Sequence, residues 1–482
     1  MSPYTLFGFV IAYFLLLLFV AWRTSRNSNN DSFFIGNRNS NWLLVSFGMI
    51  GTSLSGVTFV SVPGTVGANH FAYFQVVLGY FIGYLVVAYV LLPLYYRLNL
   101  TSIYNYLLQR FGMVTYKTGA MFFILSRVLG ATARLYLVIN VLQGFILEDL
   151  HVPFWLATFI ILLMILLYTF EGGVKTIVFT DTLQTSFMLL GLVACIIVIM
   201  NSLGLSFGET MTALGDRGYT KMFNTDVNSS AFFLKQIIGG AFITIGMTGL
   251  DQEMMQKNIS VKTLQGAQKN MLTFSVVLML VNFLFLLLGG LLYLFASSKN
   301  IDIKGDDLFP TIALQQLSPF ISIVFIIALI SALFPSADGA LTALTSSFCI
   351  DILGLKRNEN LDEAKRKKTR LTVHLTFAVI FFLCVIIFKW MNDKSIIDFI
   401  LKIAGYTYGP LLGMFGFGIL TKRKIPQNII SVLICFVSPV ICYFLSANSA
   451  AWFHGYTIGY ELLLINGIIT FAGLWVISKK TV

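Results

Sequence analysis

Charge is scarce in this chain. Asp, Glu, Lys and Arg together make up 11% of its 482 residues, where an ordinary soluble domain carries roughly 25%. Cysteine is sparse as well: Cys195, Cys349, Cys384, Cys435 and Cys442 lie inside or at the edge of apolar runs with no CxxC pair. That excludes a disulfide framework and a zinc site and leaves the thiols as packing residues. No HExxH, GxGD or nucleophile-elbow motif interrupts the apolar segments, so the usual signatures of an intramembrane enzyme are missing. No stretch reads as a soluble domain. The longest polar segment, about residues 204 to 230, holds Gly204, Gly208, Gly215 and Gly218 among mixed charges and has room for one short surface helix.

What is abundant is apolar length, at 57% of the residues. Runs of about 20 apolar residues centre near residues 13, 51, 83, 132, 162, 190, 241, 283, 333, 381, 408, 437 and 468. These predict an all-α integral membrane protein with 13 transmembrane helices. The first run is expected to stay as a helix rather than be removed as a leader, because no Lys or Arg precedes it and no small-residue cleavage site follows. With the N-terminus outside, the inner loops carry 22 of the 32 Lys and Arg residues and the outer segments six. That asymmetry predicts an N-out, C-in topology in the plasma (inner) membrane. The net charge of +11 is then a topology signal, and nucleic acid is not an expected partner. The run Lys365 to Arg370 is either a solvated inner loop or a contact for anionic lipid.

Four polar constellations interrupt the spans. In the second, Gly51-Thr52-Ser53-Leu54-Ser55-Gly56-Val57-Thr58 gathers two glycines and four hydroxyls near the bilayer centre. Either the helix breaks there and offers carbonyls to a cation, or the small residues pack closely against a neighbour. In the fourth, Arg127 and Arg134 flank Gly130; seven residues are two turns, so both guanidinium groups share a face. They either clamp a carboxylate, with one of the two facing the cavity, or serve as structural partners of Asp181 or Glu171. The third runs from Tyr168 through Glu171-Gly172-Gly173 to Phe179-Thr180-Asp181-Thr182-Leu183-Gln184, a tight inner turn followed by a carboxylate suited to a hard cation. The fourth places Ala332, Pro335, Ser336, Asp338 and Gly339 in the middle of the ninth span. A carboxylate at bilayer depth costs several kcal/mol unless it finds a partner, so Asp338 marks a functional site.

These motifs, with Asp251-Gln252-Glu253-Met254-Met255-Gln256-Lys257 at the end of the seventh span and Cys349-Ile350-Asp351-Ile352 at the end of the ninth, resemble the sodium:solute symporter family from Phe33 to about Lys424. The resemblance implies one transporter domain over residues 1–482: a peripheral helix at 5–23, two inverted five-helix repeats at about 41–203 and 230–421, and two C-terminal helices at about 427–478. It also implies that Na+ is the coupling ion and a small organic solute the cargo. Matched residue by residue, the backbone carbonyls of Gly51, Leu54 and Ala332 and the hydroxyl of Ser336 fall on the family's sodium ligands, while Pro335 stands where a second hydroxyl is expected. An additional sodium site in some relatives matches Asp181, with Asp338 and Gly339 at its hydroxyl positions. Ser53, Ser55 and Thr58 match hydroxyls of sialic-acid members, whose carboxylate-binding arginine aligns with Gly130. Arg127 then replaces it from one turn away, and Gln75 is a further candidate for the cavity wall.

The function expected is sodium-driven uptake of a small organic solute, with an anionic one such as a sialic acid or carboxylate favoured. Proton coupling through Asp181 and Asp338 is a variant, since two nearby carboxylates without a cation share a proton. An intramembrane enzyme using that aspartate pair, and a solute sensor on a transporter scaffold, are the readings from other classes.

Overall fold

The computed structural model describes residues 3–24, 33–34, 38–169, 173–357, 362–391 and 396–480. The turn residues Phe170, Glu171 and Gly172 lie outside this set. Among the described residues the chain is helical, with two isolated backbone bridges and no named strand. Among the described residues ten helices are long and apolar enough to cross a membrane, and one bent pair makes an eleventh candidate. In chain order the elements are α1 (Pro3–Thr24), α2 (Trp42–Asn69), α3 (Tyr73–Arg97), α4 (Asn105–Arg110), α5 (Met113–Leu147), α6 (Phe154–Thr169), α7 (Gly173–Leu203) and α8 (Phe207–Asp216). Then follow α9 (Phe233–Gly249), α10 (Gln252–Ile259), α11 (Leu264–Ser298), α12 (Pro319–Ile352), α13 (Glu363–Met391), α14 (Ile396–Leu420), α15 (Ile429–Trp452) and α16 (Leu462–Ile477). The apolar helices α6 and α16 have only 16 residues each. Length and composition therefore give ten to eleven spans, short of the thirteen expected.

The polarity of the molecule is inverted relative to a water-soluble protein. Leu15, Phe19, Phe159, Leu167, Leu190, Leu280, Leu383 and Val440 are exposed, while Asp181, Asp251, Glu253, Lys257 and Asp338 are buried. Apolar side chains facing outward suit a lipid solvent, and ionisable ones are tolerated only where the bundle interior supplies partners. The short α8 between α7 and α9 is the expected surface helix. It starts in a capping box in which Ser206 Oγ accepts from Glu209 N and Glu209 Oε2 from Ser206 N, and these bonds hold the Glu209 carboxyl below its ordinary range.

Two helices are discontinuous. α2 starts on Asn41, whose side chain accepts from Leu43 N, and runs until Ser55, where φ 34° and ψ 167° interrupt the helix. A serine at positive φ is strained and persists only where its surroundings fix it; here Gly56 follows, and a Cβ at Gly56 would collide with Val138. α9 and α10 meet at 64°, and Asp251 caps the new helix by accepting from Glu253 N at 2.9 Å and Met254 N at 3.2 Å. By contrast α12 stays helical through Pro335. The broken second span is as expected; the seventh span's bend lies at the Asp251 motif.

The packing has a repeating logic. α2 lies along α11, and α3 along α9; α7 lies along α12, and α5 along α14. α2 touches α5, α7 and α12 as well, so its break stands at the centre of the bundle.

Candidate substrate and cation site

A small central cavity of about 90 Å³ opens at the α2 break. Its wall includes Thr52, Ser53, Leu54, Ser55 and Thr58 from α2, Tyr73, Tyr80 and Tyr84 from α3, and Arg127 and Arg134 from α5. Hydroxyl oxygens thus dominate one side, two guanidinium groups another. Both arginines line the cavity, where one was expected, but they differ in what they hold. Arg127 is bonded to Glu253, and its Nη1 lies 3.6 Å from Asp251 Oδ2. Arg134, two turns along the same face, has no ion pair with any described residue. Neither arginine pairs with Asp181. At Gly130, between them, a Cβ would meet nothing within 4 Å, so that position is open space.

The cation candidates surround the same break. A Cβ at Gly51 would crowd Thr185 Oγ1 and lie 3.5 Å from Pro335 Cγ, and one at Gly56 would lie 4.0 Å from the Leu333 Cα. The α2 break is therefore pressed onto the stretch of α12 that holds Ala332, Pro335 and Ser336. Ser336 Oγ donates to Leu333 O at 2.8 Å, which leaves its lone pairs available to a cation. The donors here are carbonyls and hydroxyls; among the described residues no cluster of three His, Cys, Asp or Glu side chains has the arrangement of a metal centre. That donor set fits a hard monovalent ion better than a transition metal.

Asp181 and Asp338 have partners that the sequence did not identify. Asp181 Oδ2 accepts from Lys257 Nζ at 2.7 Å and lies 3.4 Å from Thr52 Oγ1. Asp338 Oδ2 accepts from Tyr168 OH at 2.7 Å, and neither Arg127, Arg134 nor Lys402 bonds to it. The remaining oxygen of each aspartate is buried without a hydrogen-bond partner. Gln75 belongs elsewhere: it accepts from Asn224 N at 3.2 Å and donates to Ala72 O at 3.0 Å, in the wall of a second, larger cavity of about 780 Å³ with His70, Lys221, Asp398, Lys402 and Tyr460. Sequence reasoning missed Asp251, Glu253 and Lys257 as members of the centre. The available signal was three charges within seven residues at the end of an apolar span.

Comparison with known proteins supplies the family and the fold. The model of the sodium:solute symporter family matches residues 33–433. The sodium/sialic acid symporter SiaT of Proteus mirabilis is 24% identical over 96% of this chain and 93% of its own length. The sodium-coupled monocarboxylate transporter 1 of Xenopus laevis is 24% identical over 87% of this chain and 68% of its own. In fold, a substrate-bound, outward-open Na+-coupled sialic acid symporter superposes with a TM-score of 0.83 at 19% identity, covering 99% of each chain. A nucleobase-cation-symport-1 family transporter in a closed conformation gives 0.55 at 13% identity over 93% of each. With the family model matched over most of its length, a broken helix pressed against a hydroxyl-bearing one and a guanidinium-lined cavity at their junction, the chain belongs to the sodium:solute symporter family, a multi-pass membrane transporter that couples sodium to the movement of a small organic solute and not an enzyme.

Proposed function

We propose that this symporter takes up a small anionic solute and that Arg134 receives its carboxylate. The observation that carries this reading is the contrast within α5: Arg127 is already committed to Glu253 and Asp251, while Arg134 lines the cavity with no acid bonded to it among the described residues. A buried guanidinium needs a counter-charge, and a carboxylate supplies one in matching bidentate geometry. Size narrows the class. The cavity of about 90 Å³ is smaller than the roughly 150 Å³ hollow that accommodates benzene, which favours a short carboxylate over a sugar acid. Ser53, Ser55 and Thr58 are placed to bond its other polar groups, and the transport names of the sialic acid and monocarboxylate relatives both fit an acid as cargo.

Sodium is held, in this reading, by the carbonyls of Gly51, Leu54 and Ala332 and the hydroxyl of Ser336. Discontinuous helices of this kind free carbonyls for a cation at mid-membrane. The architecture we infer has thirteen crossings, α6 and α16 included and α9 with α10 counted as one. Two inverted repeats, α2 to α7 and α9 to α14, follow α1 and precede α15 and α16. The packing supports it: exchanging the repeats turns the α2–α11 pair into α9–α3 and the α7–α12 pair into α14–α5, all of which are in contact. The N-terminus is outside and the C-terminus inside, on the basic-residue asymmetry of the loops.

The test is uptake of labelled short carboxylates, with a sialic acid alongside, into proteoliposomes under a sodium gradient, a proton gradient or neither. Uptake of a short acid driven by sodium is expected. Accumulation driven by pH and indifferent to sodium would move the coupling to the proton, and preference for a neutral solute would remove Arg134 from the role.

A further inference from the structure

Lys257 is the least expected residue at the centre of the molecule. It is buried to 2% exposure at the end of α10, with Nζ 2.7 Å from Asp181 Oδ2 on α7, 2.5 Å from Thr52 Oγ1 on α2 and 3.9 Å from Glu253 Oε1 on its own helix. Asp181, Thr52 and Glu253 are themselves buried. An ammonium in this position takes the ligands a hard cation would take, a carboxylate oxygen and a hydroxyl oxygen from two different helices. It also takes them at the break: Thr52 directly follows Gly51 and lines the solute cavity, and Thr52 Oγ1 is bonded back to Gly48 O at 3.1 Å.

We propose that Lys257 is a built-in counter-cation that fills the place beside Asp181, so that this symporter binds a single sodium ion, the one between the α2 break and α12. The inference rests on the sodium-coupled reading above and narrows it. A free sodium ion bonded to Asp181 would have to lie within about 2.6 Å of its oxygens, within a few ångströms of a fixed positive charge in a site with little solvent to screen it. The ammonium is tethered and cannot be released, so it competes at Asp181 as an intramolecular ligand. Its tether is also placed for coupling. α10 is the bent half of the seventh span, and Lys257 ties it to α2, the other discontinuous helix, and to α7. Glu253, four residues before Lys257, is bonded to Arg127 in the cavity wall, so charge at the solute cavity and the ammonium at Asp181 share one short helix.

The probe that tests this is sodium alone. Purified full-length protein is titrated with sodium chloride against choline chloride at constant ionic strength and mildly alkaline pH, with thermal stability and bound ²²Na as readouts. An ion that binds the folded form raises stability as the logarithm of its concentration, with a slope set by the number bound. The wild type should bind about one sodium, and Lys257→Met, which leaves the Asp181 carboxylate without its cation, should bind about two and show roughly twice the slope. Lys257→Met combined with Asp181→Asn should return to about one. A wild type that binds about two sodium ions overturns the proposal, and so does a Lys257→Met protein whose slope equals that of the wild type. If Lys257→Met does not fold, the ²²Na stoichiometry of the wild type decides alone, one ion in favour and two against. A wild type that binds no sodium overturns sodium coupling itself, an outcome separable from either of these.

Discussion

The two ends of the bundle differ in how their helices are tied together. At the end where α3 meets α9 and α10, Tyr95 OH donates to Gly249 O at 2.7 Å, Tyr104 OH to Leu250 O at 2.9 Å and Tyr96 OH to Val261 O at 2.7 Å, while Ile103 N donates to Gln252 Oε1 at 3.0 Å. Asp351, fully buried, accepts from Ser347 at 2.7 Å, Tyr116 at 2.8 Å and Ser102 at 2.9 Å. Toward the other end of α3 lies the 780 Å³ cavity, whose wall mixes His70, Lys221, Asp226, Asp398 and Lys402. One face is laced shut and the other is hollow. A solute that passed the bonded face would require those bonds to break together.

The largest expected effect comes from a residue whose guanidinium is already ion-paired. Arg127→Gln leaves Asp251 buried without a cation and Glu253 with only Lys257 at 3.9 Å, a change worth about 3–5 kcal/mol when one partner of a buried pair is removed. A collapse of yield or a large fall in thermal midpoint in detergent is expected; near-normal stability would show that Arg127 is not structural. Next comes the latch. Asp351→Ala strands three buried hydroxyl donors, and a loss of about 3 kcal/mol from the sealed state would shift its population by roughly 100-fold. Cys349, buried two residues away, is the reporter. With the other cysteines replaced by serine, its alkylation by a membrane-permeant maleimide should accelerate in Asp351→Ala, and an unchanged rate would mean that Asp351 does not hold this face closed.

The sequence made the α2 break legible because glycines and hydroxyls at bilayer depth have few explanations. It made the buried aspartates legible for the same reason, and the surface helix between α7 and α9 through its mixed composition. It did not reveal which cation meets which anion. Lys257 was read as an inner-loop positive charge, yet the 64° bend at Leu250 and Asp251 turns α10 back into the bundle and carries the lysine to Asp181. The bend depends on Asp251 accepting two backbone N–H bonds, and a capping aspartate has no periodicity to betray it inside an apolar run. Gln75 stands apart from the arginines: it lines the larger cavity and not the one at the α2 break.

Arg134 sharpens the comparison with Arg127, since no acid among the described residues is bonded to it. Arg134→Gln removes a charge-assisted bond worth about 1.5–3 kcal/mol, roughly 10- to 100-fold in apparent solute affinity, while leaving no acid stranded. Its stability should therefore match or exceed that of the wild type, opposite to Arg127→Gln. Unaltered affinity for the identified acid would withdraw the carboxylate from this residue.

The smallest effect lies in the loop between α11 and α12. The partly buried Asp306 sits against the C-terminal part of α2, where a Cβ on Gly64 would crowd the Gly305 carbonyl. Burial is the main cause that lifts its carboxyl from 3.8 to about 6; the Ser61 hydroxyl opposes the shift, and Asp307 and Asp398 add to it. A carboxyl with a raised pKa binds its proton more tightly in the folded chain than in the unfolded one. Its favourable contribution is therefore complete below about pH 4 and is lost as pH rises through 6. Discounted for partial exposure, the loss is about 1–2 kcal/mol. Asp306→Asn cannot ionise, so its loss of unfolding free energy between pH 4.5 and pH 7 should be smaller than that of the wild type by that amount. An identical pH profile in the two proteins would mean that this carboxylate is as well served as Asp351, and the contrast between the ends would then be confined to the cavity itself.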